Sequence, residues 1–200
     1  MNTVTLNLDP VIRLTDEQFY QLCMANKDVS LELNAQGELI IVPPVGGESG
    51  RSEADLNFKV SLWNYQSKLG IVFSSSTIFR LPNGAKRSPD VAWIKLARWE
   101  ALTEEEREKF PPLTPDFIIE LRSKTDRLKT LQEKMQEYLD NGLRLGWLIN
   151  PQNQQVEIYR LGKPVEIVQL PVLLSGEEVL RSKKLPTPQT EQVIFSALNN

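Results

Sequence analysis

Two Pro-Asp pairs and one isolated glutamate are the residues of this sequence best suited to binding a metal ion. Pro89-Asp90 precedes a short apolar run at residues 91–94, and Pro115-Asp116 precedes a second run in which Glu120 is the only charged residue. Short apolar runs of this kind are typical of buried strands. A buried carboxylate needs a cation or several hydrogen bonds, and Mg²⁺ and Mn²⁺ prefer oxygen ligands. The pattern indicates either a metal ligand or a buried ion pair at Glu120.

The spacing of these acids selects one pair. Side chains alternate along a strand, so residues 116, 118, 120 and 122 share one face. Asp116 and Glu120 lie about 13 Å apart on an extended chain, which is too far to share one ion, whereas an acid on a neighbouring strand can lie within about 5 Å. We therefore predict Asp90 with Glu120 as the chelating pair and Asp116 as a strand end. The alternative is that Glu120 forms a salt bridge, to Arg122 or Lys134.

The composition of the chain removes most other chemistry. Its 200 residues include no His and one Cys, Cys23. Imidazole bases, His-ligated zinc, Cys-rich zinc sites and intramolecular disulfides are therefore excluded. The net charge of −3 argues against a protein that coats nucleic acid without specificity, although it allows a local basic groove. What remains is a carboxylate–metal enzyme or a protein without catalysis.

Length and hydropathy give further expectations. Two hundred residues favour one domain, with 40% hydrophobic and 24% charged residues as in ordinary globular proteins. The first nine residues lack the basic and apolar regions of a signal peptide, and no apolar run approaches the roughly 20 residues needed to cross a bilayer. These features predict a cytoplasmic protein with no membrane partner.

The elements that position the acids follow from periodicity and turn residues. Helices are predicted over residues 15–25, 49–69 and 125–141, with Thr15 and Gln18 as a capping box and Thr103 as a further helix cap. β-Hairpins are predicted at 31–42 and 145–159, and the remaining strands at 71–74, 77–81, 91–94 and 117–121. This order predicts an α/β or α+β fold with one mixed sheet flanked by helices. After residue 161 we expect short strands, then a polar Pro-containing segment that is poorly ordered or dependent on a partner.

Five segments together resemble a known family. They are Ser88-Pro-Asp-Val-Ala-Trp93, Pro115-Asp-Phe-Ile-Ile-Glu-Leu-Arg-Ser123, Leu131-Gln-Glu-Lys-Met-Gln-Glu-Tyr138, Gly146-Trp-Leu-Ile149 and Val156-Glu-Ile-Tyr159. In this order they are similar to the Uma family of restriction endonucleases, within the PD-(D/E)xK nuclease superfamily. The resemblance implies a restriction-endonuclease-like mixed β-sheet flanked by helices, with an N-terminal β-hairpin. It further implies a single domain over residues 1–200, with a core at about 31–160 and a C-terminal extension at 161–200.

The resemblance also implies roles for individual residues. Asp90 matches the aspartate of the motif and Glu120 its second acid, and together they would hold Mg²⁺ or Mn²⁺ for phosphodiester hydrolysis. Arg122 stands where the motif has Lys; because an arginine stays protonated, it could stabilise a pentacovalent phosphate as a catalytic residue but is a poor base. Some superfamily members supply the amine from the following helix, where Lys134 lies at the edge of an apolar stripe; otherwise Lys134 is a solvated helix residue. Glu53, or alternatively Glu48, would be a further acid from the preceding helix.

Three functions stay open at this point. The first is an Mg²⁺-dependent DNA endonuclease, with phosphate contacts at a locally basic junction formed by Arg122, Lys124, Arg127, Lys129 and Lys134. The second is a nuclease fold without catalysis that binds DNA or dimerises, which is favoured by Arg122 and the acidic balance. The third is a metal hydrolase of small phosphoesters. Homologous nucleases often form homodimers, and the apolar hairpins or residues 170–174 could support one, although both could equally be core.

Overall fold

The computed structural model describes residues 3–180 and the backbone of a strand at 192–195. The strands in this part of the chain are β1 (Val4–Leu6), β2 (Ser30–Leu33), β3 (Leu39–Val42), β4 (Gly70–Ser74), β5 (Phe79–Arg80), β6 (Lys86–Arg87), β7 (Val91–Lys95), β8 (Phe117–Leu121), β9 (Leu145–Asn150), β10 (Gln155–Arg160), β11 (Glu166–Gln169), β12 (Val172–Ser175) and β13 (Gln192–Phe195). The helices are α1 (Asp16–Ala25), α2 (Gly47–Ser67), α3 (Leu96–Glu100), α4 (Glu104–Glu108) and α5 (Leu128–Asp140).

The larger sheet has six strands in the order β11-β10-β9-β8-β7-β4. Strands β8 and β9 are parallel, and the other neighbours are antiparallel. A parallel pair requires a crossover connection, and α5 provides it. Because Val91 pairs with Ile119 across β7 and β8, Asp90 and Glu120 are the next pair in register. The fold therefore places these two residues opposite each other, where β7 begins and β8 ends.

Each face of the six-stranded sheet is covered by a helix. Phe117, Ile119 and Leu121 of β8 belong to a core cluster with Leu56, Val60 and Trp63 of α2. Ile118 lies in the opposite cluster, which contains Met135, Tyr138 and Leu139 of α5. Alternation along β8 therefore directs the Glu120 side chain to the face covered by α5.

A second sheet contains the N-terminal hairpin. Its five strands have the order β1-β3-β2-β6-β5, and α1 covers it through Phe19 and Cys23, which pack with Leu31, Leu33 and Leu39. The predicted hairpin is present as β2 and β3, but the prediction of a single mixed sheet was too simple. Strand β6 pairs with β2 at Leu33 and Lys86. Periodicity identifies strands without identifying their partners, which is why the second sheet was not predicted.

Helix ends follow the predicted capping residues. The hydroxyl of Thr15 accepts a hydrogen bond from Gln18 N, and the Gln18 side chain accepts one from Thr15 N. Thr103 and Glu106 form the same capping box at α4. Each box satisfies backbone N–H groups that a helix leaves unpaired at its start.

The C-terminal extension adds to the larger core. Leu174 and Leu180 are buried there, and β12 pairs with β13. The polar Pro-containing segment that we expected to be poorly ordered lies outside the described residues. Within residues 3–180 we find no helix that combines the length and apolarity required to cross a membrane.

Candidate active site

Asp90 and Glu120 meet where β7 begins and β8 ends. Asp90 Oδ2 accepts a hydrogen bond of 2.6 Å from the backbone N–H of Leu121, which fixes its carboxylate beside the end of β8. Glu120 is buried, with 3% of its surface exposed. Tyr138 of α5 donates from its hydroxyl to Glu120 Oε1 at 3.4 Å. Antiparallel register and one backbone hydrogen bond thus bring the two predicted acids together.

Both carboxyl groups bind protons unusually tightly. Burial raises the pKa of Asp90 to about 7, and the negative charge of Glu53 acts in the same direction. Burial also raises the pKa of Glu120 to about 8, supported by Asp90 and Glu32 and opposed by Lys134. Acids that repel each other in a buried setting favour either protonation or a bound cation. The pair is therefore suited to bind a positive ion.

Lys134 reaches this pair from the first half of α5. Its Nζ lies 2.8 Å from Glu120 Oε1 and 2.9 Å from Glu32 Oε1, and it donates to the backbone carbonyl of Ser88 at 3.1 Å. Burial lowers the pKa of Lys134, but the carboxylates of Glu120 and Glu32 outweigh it and hold that pKa above its usual value. With 13% of its side chain exposed, Lys134 is a largely buried, charged residue at the site rather than a solvated one.

Glu53 belongs to α2, which covers the face of the sheet opposite to α5, and its charge acts on Asp90. It is half-buried, and its pKa is raised by burial and by the carboxylates of Glu120 and Asp126. Glu48, the alternative acid, lies at the exposed start of α2 and pairs with Arg51 at 3.3 Å. Of the two, Glu53 is the acid whose charge acts on the pair.

Arg122 and Asp116 lie apart from the acidic pair in different ways. Arg122 donates to Asp126 O, Asn150 Oδ1 and Asn153 Oδ1, at 3.2 to 3.4 Å, and so fastens the loops that follow β8 and β9. Asp116 lies at the far end of β8, where it accepts from Lys95 N at 2.9 Å and pairs with Arg98 at 3.0 Å. The salt bridge of Glu120 that was open between Arg122 and Lys134 is formed with Lys134.

Sequence reasoning missed a second group of buried charges beside Lys134. Glu32 of β2 and Arg87 of β6 are both buried, and they pair at 3.0 Å. Arg87 also pairs with Glu137 of α5 at 2.5 Å. The alternation Leu31-Glu32-Leu33 is that of an ordinary strand with its charged residue facing solvent, so it gave no signal for the burial of Glu32, and no local pattern connects residue 32 with residue 134.

The carboxylate oxygens of Asp90 and Glu120 are suitable ligands for a small divalent cation. One oxygen of Asp90 and one of Glu120 accept the hydrogen bonds described above; among the described residues, Asp90 Oδ1 and Glu120 Oε2 have no donor. No group of three or more potential ligands that could hold a metal occurs within residues 3–180. Two carboxylates with water or phosphate oxygens completing the shell is the usual arrangement for protein-bound Mg²⁺.

The fold matches that of a solved protein. A crystal structure from Anabaena variabilis, described as "a putative nuclease belonging to DUF820", is similar with a TM-score of 0.68. The match covers 89% of this chain and 91% of that one at 18% sequence identity. No curated protein matches the chain. The mixed sheet with helices on both faces and the likeness to this structure define a protein of the restriction-endonuclease-like α/β class.

The chain belongs to the Uma2 family. The family model, described as "Putative restriction endonuclease", matches residues 16–187. This range includes the six-stranded sheet, every strand of the five-stranded sheet except β1, the five α-helices and each residue of the site. The expected family and fold are both confirmed.

Proposed function

We propose that this protein is an Mg²⁺-dependent DNA endonuclease in which Asp90 and Glu120 hold the metal ion. The observation that carries the proposal is a pair of carboxylates, the buried Glu120 and the half-buried Asp90, beside an ammonium group, with Lys134 Nζ 2.8 Å from Glu120 Oε1. Family membership supports a nuclease. A bound Mg²⁺ would supply a Lewis acid for the scissile phosphate and a source of hydroxide.

The residues of the chain would contribute electrostatics and orientation. With its raised pKa, Lys134 is a donor that stabilises charge developing on the phosphate rather than a base. Asp90 is oriented by the Leu121 N–H, which leaves its second oxygen for the ion. Glu53 would be a further acid, supported by the action of its charge on Asp90. Arg122 takes a structural role in this proposal, because its guanidinium is bound to the neighbouring loops.

DNA is the proposed substrate because exposed basic residues surround the start of α5. Lys124, Arg127 and Lys129 are exposed there, beside a helix N-terminus that favours phosphate. Lys129 forms only a long pair with Glu133 at 3.8 Å. Such contacts release counterions, so binding should weaken steeply as salt is raised.

A homodimer is part of the proposal, and α2 offers a surface for it. Phe58, Leu62 and Tyr65 are exposed by 61%, 45% and 78% and follow one another at helical spacing. The earlier candidate at residues 170–174 is less suitable because Leu174 is buried. Sedimentation should show a dimer for the wild type and a monomer for Leu62→Glu with Tyr65→Glu. A monomeric wild type at high concentration removes this part of the proposal.

Mn²⁺ titration calorimetry on the wild type and on Glu120→Gln tests the metal site without a known substrate. We expect binding to the wild type that disappears in the variant, followed by Mg²⁺-dependent cleavage of DNA that Glu120→Gln abolishes while the fold is kept. Cleavage by the variant at the wild-type rate would overturn the assignment. The titration is repeated with DNA present, since phosphate oxygens can complete the ion's shell.

A catalytically inactive DNA-binding module is the second candidate, favoured by Arg122 at the position of the motif lysine. Metal-dependent turnover that requires Asp90 excludes it. Turnover of model phosphodiesters but not of DNA would instead indicate a hydrolase of small phosphoesters.

A further inference from the structure

Lys134 is held between two glutamates that come from different sheets. Glu120 belongs to β8 of the six-stranded sheet and Glu32 to β2 of the five-stranded sheet. Their Oε1 atoms lie 2.8 and 2.9 Å from Lys134 Nζ, and the Ser88 carbonyl at 3.1 Å takes a third contact. An ammonium group has three protons, and it has three oxygen partners here: two carboxylates in ion pairs and one carbonyl in a hydrogen bond.

Glu32 is itself firmly fixed. Its Oε1 accepts from Ser88 N at 2.9 Å, and its Oε2 accepts from Arg87 at 3.0 Å. Only 4% of its surface is exposed. A carboxylate buried to this degree is costly to maintain unless it is paired on several sides. Glu32 is thus a rigid acceptor, fixed on one side by Arg87 and turned on the other towards Lys134.

A lysine needs such a partner when its position matters. Its charge lies at the end of a flexible four-carbon chain, and its donors rotate freely. In the proposed function, a metal ion bound through Glu120 Oε2 would compete with Lys134 for the negative charge of Glu120. Glu32 is the partner of Lys134 that such an ion would not contact.

We propose that Glu32 is a positioning residue that holds the Lys134 ammonium in place beside the carboxylate pair. The catalytic part of this inference depends on the proposed nuclease function; the positioning part does not. Partners of this kind, which do not touch the reacting atoms, typically contribute about 10- to 100-fold to activity or to metal affinity.

Glu137 provides a matched control. Like Glu32, it pairs with Arg87, at 2.5 Å, although its side chain is somewhat more exposed, at 14% against 5%. Its other carboxylate oxygen accepts from Asn83 at 3.2 Å, and within the described part of the chain no ion pair joins it to Lys134. Glu32→Gln and Glu137→Gln both remove one carboxylate from Arg87, but only the first removes an acceptor charge from Lys134. A purely structural role predicts similar consequences for the two variants.

The first experiment follows the Lys134 ammonium directly by ¹⁵N NMR, with its resonance assigned by its loss in Lys134→Met. We expect slow proton exchange in the wild type and in Glu137→Gln, and exchange at least tenfold faster in Glu32→Gln. Equal exchange rates in the two glutamate variants would overturn the proposal. If Glu32→Gln does not fold, Glu32→Asp takes its place; it keeps the charge but withdraws it by one methylene, and an unchanged exchange rate there overturns the proposal equally.

The second experiment measures Mg²⁺-dependent DNA cleavage. Glu32→Gln should lower kcat by about 10- to 100-fold with little change in KM, Glu137→Gln should stay near the wild type, and Glu32→Asp should recover part of the loss. A kcat that falls equally in both Gln variants refutes the positioning role. If the wild type cleaves no DNA, the proposed function fails, and the exchange measurement still decides whether Glu32 positions Lys134.

Discussion

The two ends of strand β8 carry buried acids in opposite electrostatic settings. At one end, Asp116 accepts from a backbone N–H and lies 3.0 Å from Arg98 and 3.7 Å from Arg144, with 2% of its side chain exposed. At the other end, Glu120 has one ammonium partner and lies among the carboxylates of Asp90, Glu32 and Glu53. Both acids are equally buried, so burial alone does not distinguish them.

The difference lies in whether charge is compensated. Arg98 and Arg144, which pair with Asp116, are 41% and 44% exposed, and their positive charges compensate its negative charge. Around Glu120 the acids outnumber the cations, which raises the pKa of Glu120 to about 8 because burial and neighbouring carboxylates both disfavour its charge. A buried acid with surplus negative charge is a stronger candidate for function than one whose charge is balanced.

The two ends of β8 should differ most in activity when the cation paired with each acid is removed. Lys134→Met should reduce the rate of DNA cleavage by about 10²- to 10³-fold, as loss of a preorganised donor does, and should tighten Mn²⁺ binding because a competing positive charge is gone. Arg98→Met should leave cleavage within about threefold, since Arg98 contacts only the structural end. Kinetics and calorimetry on both variants check this. Equal losses of activity would show that the two ends do not differ in function.

Replacing the two acids should affect stability in the reverse order, with the larger loss of unfolding free energy at Asp116 and the smaller at Glu120. Asp116→Ala leaves the Lys95 N–H without its acceptor, and we expect it to cost about 1–3 kcal/mol of unfolding free energy. Glu120→Gln should cost less or even stabilise the metal-free protein, because it removes a repelled carboxylate. Urea unfolding at pH 8 without metal measures both. A larger loss in Glu120→Gln than in Asp116→Ala would contradict the electrostatic contrast.

The acidic pair should make the metal-free protein less stable as the pH rises. The pKa values of these carboxyl groups, ordinarily near 4, are raised to about 7 for Asp90 and about 8 for Glu120. The folded state therefore binds protons more tightly than the unfolded state. The resulting stability is fully present below pH 4 and is lost as the pH rises through 8. Each tenfold difference in proton affinity between the two states is worth about 1.4 kcal/mol. That free energy shifts Tm by roughly 3 °C or more in a protein of this size.

Thermal unfolding between pH 5 and pH 8 checks this expectation. Asp90→Asn should reduce the decline, and Mn²⁺ should restore stability to the wild type at pH 8 but not to the variant. A wild-type Tm that does not fall over this range, with metal absent, would mean that burial and the neighbouring carboxylates do not raise the two pKa values as inferred.

The smallest effect is expected at Arg122, which shares the Glu120 end of the strand without joining the acidic pair. Arg122→Lys keeps the charge but loses the fork that reaches Asn150 and Asn153, so cleavage should change by less than about threefold, with a modest loss of stability. If activity instead rises to many times the wild-type rate, the residue occupies the motif position functionally as well as in sequence.

Local patterns predicted much of this molecule. The apolar runs and their alternation gave β7, β8 and the face of Glu120, and capping residues gave the starts of α1 and α4. The encounter of Asp90 with Glu120 was predictable because neighbouring strands constrain distance. These expectations needed only periodicity and short-range geometry.

The parts that could not be predicted depend on long-range pairing. Nothing local in β2 or β6 indicates that they pair with each other or that Glu32 reaches Lys134, 102 residues later in the chain. Helical periodicity put Lys134 at the edge of the apolar stripe but could not decide whether it was solvated. Arg122 was ambiguous for a similar reason, since two partners of its guanidinium, Asn150 and Asn153, lie at the end of β9 and just after it.

The contact of Lys134 with both sheets has a consequence for biosynthesis. The chain is made from its N-terminus, so Glu32, Asp90 and Glu120 are synthesised before the helix that carries Lys134. That helix packs against β9, which follows it in the chain and pairs with β8. The four side chains can therefore meet in this arrangement only after β9, which ends at Asn150, has been synthesised and has paired with β8. A nascent or truncated chain that ends before β9 carries the acids without the assembled site.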